Sequence, residues 1–240
     1  MLMTLFYPMP LDDYILQHDR IDIWEFSLAN LPPCATSLLT KEEHERANRF
    51  YFERHQRRFI VARAMLRTIL ARYLKQDAAT LSFEYNHHGK PQVQSSNLEF
   101  NLSHSAELAL LAVGRQFPLG IDLEFFSARP YQGIAKNMFS PQEILNFSKL
   151  SPARQPLSFF HIWAQKEALI KACGLGLAYP TQQFDVPVVP PTNELIVDHK
   201  HQTTWQMISF MPQITCSAAL CCSPSVKKIN YSIINPLNFL

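Results

Sequence analysis

Asp122 and Glu124, two apart in L-G-I-D-L-E-F, and Glu167 and Lys171, four apart in F-H-I-W-A-Q-K-E-A-L-I-K-A-C-G-L-G-L, are the side chains best spaced for chemistry. On a strand, Asp122 and Glu124 project from one face about 7 Å apart and repel unless a cation lies between them. On a helix, Trp163, Glu167 and Lys171 share a face, so a carboxylate and an ammonium stand side by side. The three carboxylates together would make an all-oxygen site of the kind Mg²⁺ prefers, leaving positions for water and a substrate phosphate. Each part also has a plainer reading. A Glu–Lys pair at this spacing adds only about 0.3 kcal/mol to an exposed helix, and Asp122 with Glu124 suits a solvated strand face.

Other residues could hold an anion. F-N-L-S-H-S (100–105) ends a strand in small polar residues, and Ser103 with His104 offers a hydroxyl, an imidazole and backbone N–H groups. Gly89, Lys90 and Pro91 form a tight turn, and Arg57 and Arg58 stand together near a helix start. A polar turn, a hairpin loop and a solvated basic face would explain these features equally well.

The elements that must position these groups are legible from periodicity. Ile21 to Leu28 reads as a strand. Thr40 with Glu43 matches a capping box, so a helix begins there and runs to about Phe50. Gln56 to Leu74 is a longer helix, with Phe59, Ala62, Leu66, Ile69 and Leu70 as its apolar stripe and arginines on its other faces. Leu81–Tyr85, Leu98–Ser103 and Leu108–Val113 read as strands, the first two flanking the turn N-H-H-G-K-P. From Trp163 to Cys173 the chain lacks Pro and Gly, and Gly174 supplies the helix stop, with Ile162, Leu169 and Cys173 turned towards a core. Strands follow at Trp205–Phe210 and Ile214–Cys221.

Composition sets the bounds. At 240 residues and 47% hydrophobic, the chain has ample apolar material for one large or two small ordered domains. A net charge of +2 does not by itself imply nucleic acid, although Arg46, Arg49, Arg54, Arg57, Arg58, Arg63, Arg67, Arg72 and Lys75 crowd one segment. The five cysteines lack zinc-knuckle spacing and read as reduced thiols in a cytoplasmic protein. M-L-M-T-L-F-Y-P-M-P lacks a basic leader and does not read as a signal peptide, and no apolar run approaches the roughly 20 residues of a membrane span.

A shift of one hundred residues brings Ile21, Asp22, Phe26 and Ser27 onto Ile121, Asp122, Phe126 and Ser127, and the capping box onto Ser140 and Glu143. A long helix and two strands then follow in each half. This predicts an α+β fold of two similar α/β halves, residues 1–116 and 117–240, packed as an intramolecular pseudo-dimer with a ligand cleft between them. Trp24 stands where the second half has Glu124, so one active cleft is expected.

Taken in order, G-K-P, F-N-L-S-H-S, G-I-D-L-E and W-A-Q-K-E-A-L-I-K-A-C-G-L-G-L closely resemble the signature set of the Sfp-type 4′-phosphopantetheinyl transferases. The blocks run from Gly89 to Leu177, and the last is the most specific. The resemblance implies a pseudo-dimeric α+β transferase fold. It implies an enzyme that moves 4′-phosphopantetheine from coenzyme A to a serine of an apo acyl, polyketide or peptidyl carrier protein, releasing 3′,5′-ADP. It further implies Mg²⁺, or Mn²⁺, held by Asp122, Glu124 and Glu167. Lys171 would steady the pyrophosphate, and Glu167, directly or through a metal-bound water, would accept the serine proton.

By the same resemblance Ser103 and His104 contact the phosphates, His104 and Arg58 lie near the 3′-phosphate, and Gly89, Lys90 and Pro91 line the adenine. Lys166 would serve the cofactor or the carrier interface, and Trp163 either packs or makes contact. Family members often place basic residues around positions 41–46 for the 3′-phosphate, where this chain has Glu42, Glu43 and Glu45; Arg46 would substitute. The remaining basic surface, Arg49 to Arg72, would face an acidic carrier, and the two-copy length favours a monomer. Two other classes stay open: a protein that binds coenzyme A or a carrier without transfer, and a Mg²⁺-dependent nuclease.

Overall fold

The computed structural model describes residues 13–128, 131–176 and 179–240. The opening stretch through residue 12, which does not read as a signal peptide, and Leu177, which closes G-L-G-L, lie outside the described residues. Along the chain the elements are β1 (Arg20–Ser27), α1 (Lys41–Asn48), α2 (Glu53–Leu74), β2 (Phe83–Tyr85), β3 (Pro91–Val93), β4 (Leu98–Ser105), β5 (Leu108–Arg115) and β6 (Gly120–Phe125). There follow α3 (Tyr131–Met138), α4 (Pro141–Ser148), α5 (Gln155–Cys173), β7 (Thr192–Asp198), β8 (Thr203–Phe210), β9 (Cys216–Cys222), β10 (Lys228–Ile234) and α6 (Pro236–Phe239).

The strands form two four-stranded sheets, β10-β1-β5-β4 and β6-β9-β8-β7, with β2 and β3 as a separate hairpin. Strand alternation dictates the layers. In β1, Trp24 and Phe26 join α2 residues Val61, Met65, Ile69 and Leu70 in one core, whereas Ile21 and Ile23 face the second sheet. Leu110 and Ala112 of β5 meet Ile121, Leu123 and Leu220 in that central core. On the far side α5 packs Phe160, Ala164, Ala168 and Ala172 with Met207, Ala219 and Cys221. The result is a mixed α+β fold in which each sheet carries one long helix on its outer face. Burial of a large apolar side chain contributes about 1.5–3 kcal/mol, so these three cores dominate stability.

Element order recurs along the chain. In each sheet the first strand pairs with a later one that in turn pairs with the strand between: β1 with β5 with β4, and β6 with β9 with β8. Both capping boxes form, Thr40 with Glu43 at α1 and Ser140 with Glu143 at α4. Each capping glutamate is also buried against a cation from the following long helix. Arg67 of α2 donates to Glu43 at 2.8 and 3.0 Å and to the carbonyls of Ala78 and Leu81. Lys166 of α5 lies 2.9 Å from Glu143 and donates to the carbonyls of Thr181 and Phe184.

That arrangement corrects two expectations. Lys166 is fully buried with its ammonium spent on Glu143 and two carbonyls, so it faces neither cofactor nor carrier. Burial pushes the Glu143 carboxyl up and the Lys166 ammonium down, and each partner opposes the shift of the other. Much of the basic face of α2 is likewise engaged within the chain. Arg67 is buried, Arg63 lies against Glu43, Arg57 and Arg58 share Glu107, and Arg72 binds Tyr14 and the Phe239 carbonyl. Of that segment, Arg46, Arg49, Arg54 and Lys75 remain exposed.

Three further differences concern boundaries. Helix α5 starts two turns before Trp163, because Phe159 and Phe160 belong to the core. Helix α2 starts three residues before Gln56. Strand β10, not anticipated, pairs in parallel with β1, so the chain returns to its first sheet. All five cysteines are free thiols.

Candidate active site

The site lies where β4, an edge of the first sheet, meets β6, an edge of the second. No backbone ladder joins these strands. Alternate side chains of β4 instead accept hydrogen bonds from alternate N–H groups of β6: Asn101 from Ile121 at 2.8 Å, Ser103 from Leu123 at 3.3 Å and Ser105 from Phe125 at 3.1 Å. Carbonyls on β6's approach are met by lysines, Leu119 by Lys90 at 3.0 Å and Ile121 by Lys171 at 3.4 Å. The exposed strand edge is thereby satisfied by side chains.

Gly120 sets the distance from β6 to α5. A Cβ there would fall 2.1 Å from the Ala168 carbonyl oxygen and 2.4 Å from the Ala172 nitrogen. This close approach brings Lys171 onto Asp122, with Nζ 2.6 Å from Oδ1. Ser103 donates to the same Oδ1 at 2.9 Å and accepts from Lys171 at 3.0 Å. Asp122 Oδ2 is buried and has no hydrogen-bond partner among the described residues. Two residues on, Glu124 accepts from Trp163 Nε1 at 3.2 Å through Oε1 and from Ser105 at 3.3 Å through Oε2. Trp163 therefore contacts a site carboxylate. Burial first, then the charges of Asp122 and Glu124, raise the Glu167 carboxyl, while Lys171 opposes them.

The donor set suits a hard divalent ion: an orphaned Asp122 oxygen, a second strand carboxylate and a helix carboxylate whose ionisation the other two oppose. The three do not stand together in coordinating positions, since no group of three potential ligands does so among the described residues. Lys171 supplies the countercharge to Asp122.

Two adjoining cavities share Gly89, Pro91 and Asn101 as common walls. One, of about 270 Å³, is lined by His88, Lys90, Glu167, Lys171, Gly174 and Gly176. The other, of about 340 Å³, is lined by Arg46, Phe50, His55, Arg58, Phe59, Arg63, Tyr85 and His104. In the second, Arg58 Nε and Arg63 Nη1 are buried donors without partners among the described residues. Crowding by the cleft walls, then the charges of Lys171, Arg58 and His55, lowers His104 below the ordinary imidazole range.

Of the twelve expected residues, eight line these two cavities: Glu167, Lys171, His104, Arg46, Arg58, Gly89, Lys90 and Pro91. Asp122 and Ser103 are hydrogen-bonded to Lys171, and Glu124 to Trp163. Lys90 differs in detail. Its ammonium donates to the carbonyls of Leu119 and Ala172 and ties the 86–90 turn to β6 and α5, so it is an anchor of the cleft wall. Asn86 reinforces this tie by donating to the Gly174 carbonyl at 2.8 Å. Sequence reasoning missed Asn101, Ser105, His55 and Glu107. The first two had a signal, the period-two polar residues of F-N-L-S-H-S facing the period-two pattern of I-D-L-E-F; the last two had none.

Residues 118–219 match the model of the 4′-phosphopantetheinyl transferase superfamily, and residues 23–116 match that of the 4′-phosphopantetheinyl transferase N-terminal region, which makes the chain a transferase. The 4′-phosphopantetheinyl transferase HetI of Nostoc sp. is 35% identical over 233 residues, covering 92% of this chain and 94% of that protein. Sfp of Bacillus subtilis is 31% identical over 152 residues, 62% of this chain and 66% of the relative. A mouse L-aminoadipate-semialdehyde dehydrogenase-phosphopantetheinyl transferase is 28% identical over 211 residues, 76% and 68% of the two chains. This chain belongs to the 4′-phosphopantetheinyl transferase family.

Proposed function

We propose that the chain transfers 4′-phosphopantetheine from coenzyme A to a serine of an apo acyl, polyketide or peptidyl carrier protein, with Mg²⁺ held by Asp122, Glu124 and Glu167. The observation that carries this reading is the continuity of the basic cavity with the carboxylate–lysine cluster across Gly89, Pro91 and Asn101. A ligand with phosphates at two separated points fits such a cleft. Arg58, Arg46 and His104 would take the 3′-phosphate, and Gly89 and Pro91 would flank the adenine. Lys171 and Ser103 would hold the pyrophosphate.

In the reaction a new bond forms between the serine oxygen and the phosphorus bearing the pantetheine arm. The bond from that phosphorus to the bridging oxygen breaks, and 3′,5′-ADP leaves. When bound, the divalent ion would neutralise charge growing on the bridging oxygen. Glu167 receives the serine proton as the serine oxygen bonds to phosphorus. Lys171, already hydrogen-bonded to Asp122 and Ser103, is held for the pyrophosphate without further ordering.

The recurrence of strand order, capping boxes and buried Glu–cation pairs supports reading the chain as a pseudo-dimer divided near residues 116–117, with β10 crossing back. Asp22, the counterpart of Asp122, is enclosed by Arg20, Tyr73 and Asn230, which supports a single active cleft. Because both walls come from one chain, a monomer suffices. Intact-protein mass spectrometry of an apo carrier with this chain, coenzyme A and Mg²⁺ tests the proposal. Addition of one phosphopantetheine, blocked by EDTA and lost in Glu167→Ala, is expected; coenzyme A binding without transfer to any carrier would favour a non-catalytic binder instead.

A further inference from the structure

Two serines of β4 each perform the same pair of tasks on β6. Ser103 accepts the Leu123 N–H and donates to Asp122; Ser105 accepts the Phe125 N–H and donates to Glu124. Each hydroxyl thus fixes the backbone of one β6 residue and the carboxylate of the residue before it, with a constant offset of twenty along the chain. The alternation of β4 brings both serines to the same edge, and the alternation of β6 brings both carboxylates to meet them. A hydroxyl has one proton to give and lone pairs to receive, so each serine serves both tasks at once.

We infer that Ser105 is a positioning residue for Glu124, and that β4 thereby aligns the metal-binding edge of the second sheet from outside it. This rests on the reading of Asp122, Glu124 and Glu167 as the metal ligands. Glu124 is gripped at Oε2 by Ser105 of β4 and at Oε1 by Trp163 of α5, so its carboxylate is oriented between two elements that do not themselves pair. Partners that orient a ligand contribute strongly to metal affinity, and their loss costs 10- to 100-fold. A single hydroxyl–carboxylate hydrogen bond, long at 3.3 Å, belongs at the lower end of that range.

The test is Mn²⁺ titration of the full chain without coenzyme A, followed by the electron paramagnetic resonance signal of free Mn²⁺, for wild type, Ser105→Ala and Ser105→Thr. Ser105→Ala should weaken Mn²⁺ binding about tenfold, and Ser105→Thr, which keeps the hydroxyl, should recover it to within about threefold. If the alanine variant does not fold, Ser105→Cys gives the same contrast, because a thiol donates and accepts poorly. A lowered melting temperature with unchanged Mn²⁺ affinity would reduce Ser105 to a purely structural role and overturn the inference. Failure of the wild type itself to bind Mn²⁺ would instead overturn the metal reading on which it rests.

Discussion

Replacing Gly120 by alanine tests whether the approach of α5 to β6 assembles the site. The added Cβ would lie 2.1 Å from the Ala168 carbonyl oxygen and 2.4 Å from the Ala172 nitrogen, both backbone atoms that cannot swing aside. Strand and helix must separate by about 1 Å to restore ordinary contact. Ala168 follows Glu167 directly, and Lys171 lies within the displaced turn, so the 2.6 Å contact of Lys171 with Asp122 opens. A misplacement of about 1 Å costs roughly 100-fold in rate, and an overpacked core about 1–3 kcal/mol, or about 2–12 °C in melting temperature for a chain of this size. The assay is kcat/KM for carrier modification alongside a thermal melt. Gly133→Ala is the control, since a Cβ on that helical glycine meets nothing within 4 Å. Gly120→Ala within about threefold of wild-type kcat/KM would refute the claim that this approach aligns the site.

Other perturbations separate scaffold from chemistry. Lys166→Met strands a buried carboxylate on Glu143 and should cost about 3 kcal/mol, lowering the melting temperature by about 6–12 °C while leaving the coenzyme A KM of the folded enzyme unchanged. Arg58→Ala removes a charged donor from the larger cavity and should weaken coenzyme A binding about tenfold by calorimetry, with little effect on an analogue lacking the 3′-phosphate. Glu25 is buried and accepts a 2.5 Å hydrogen bond from Tyr231; burial raises its pKa, and that hydrogen bond opposes the shift. Between its unfolded and folded pKa values the folded form holds a proton that the unfolded chain has released, and the associated stability is lost as pH rises through the folded pKa. Glu25→Gln should melt above wild type at neutral pH, with the gap closing towards pH 4.

Much of this arrangement was legible in the residues. Period-two spacing put Asp122 and Glu124 on one strand face, and period-3.6 spacing put Trp163, Glu167 and Lys171 on the helix face that meets it. Thr40 with Glu43 and Ser140 with Glu143 marked two helix starts because a capping box is a purely local signal. Lys166 misled because one step along a helix changes the face, and its neighbour Glu167 lies on the cleft while Lys166 points to Glu143. Arg63 and Arg67 read as surface for a related reason: their partner Glu43 is twenty or more residues away, and only the packing of α1 on α2 brings it near. Strand β10 was invisible because its partner β1 lies some two hundred residues earlier, beyond any periodicity.

The parallel pairing of β1 with β10 also bears on synthesis. Asp22 and Asn230, hydrogen-bonded at 2.9 Å, are 208 positions apart. Until the distant strand emerges from the ribosome, β1 has β5 on one side and an open row of amides on the other, beside Ile21 and Ile23. Such an edge is a template for pairing with other chains, and contacts this far apart form slowly. The nascent protein therefore carries this open edge through most of translation, and chaperone contact should concentrate on β1 and end when residues 228–234 are released.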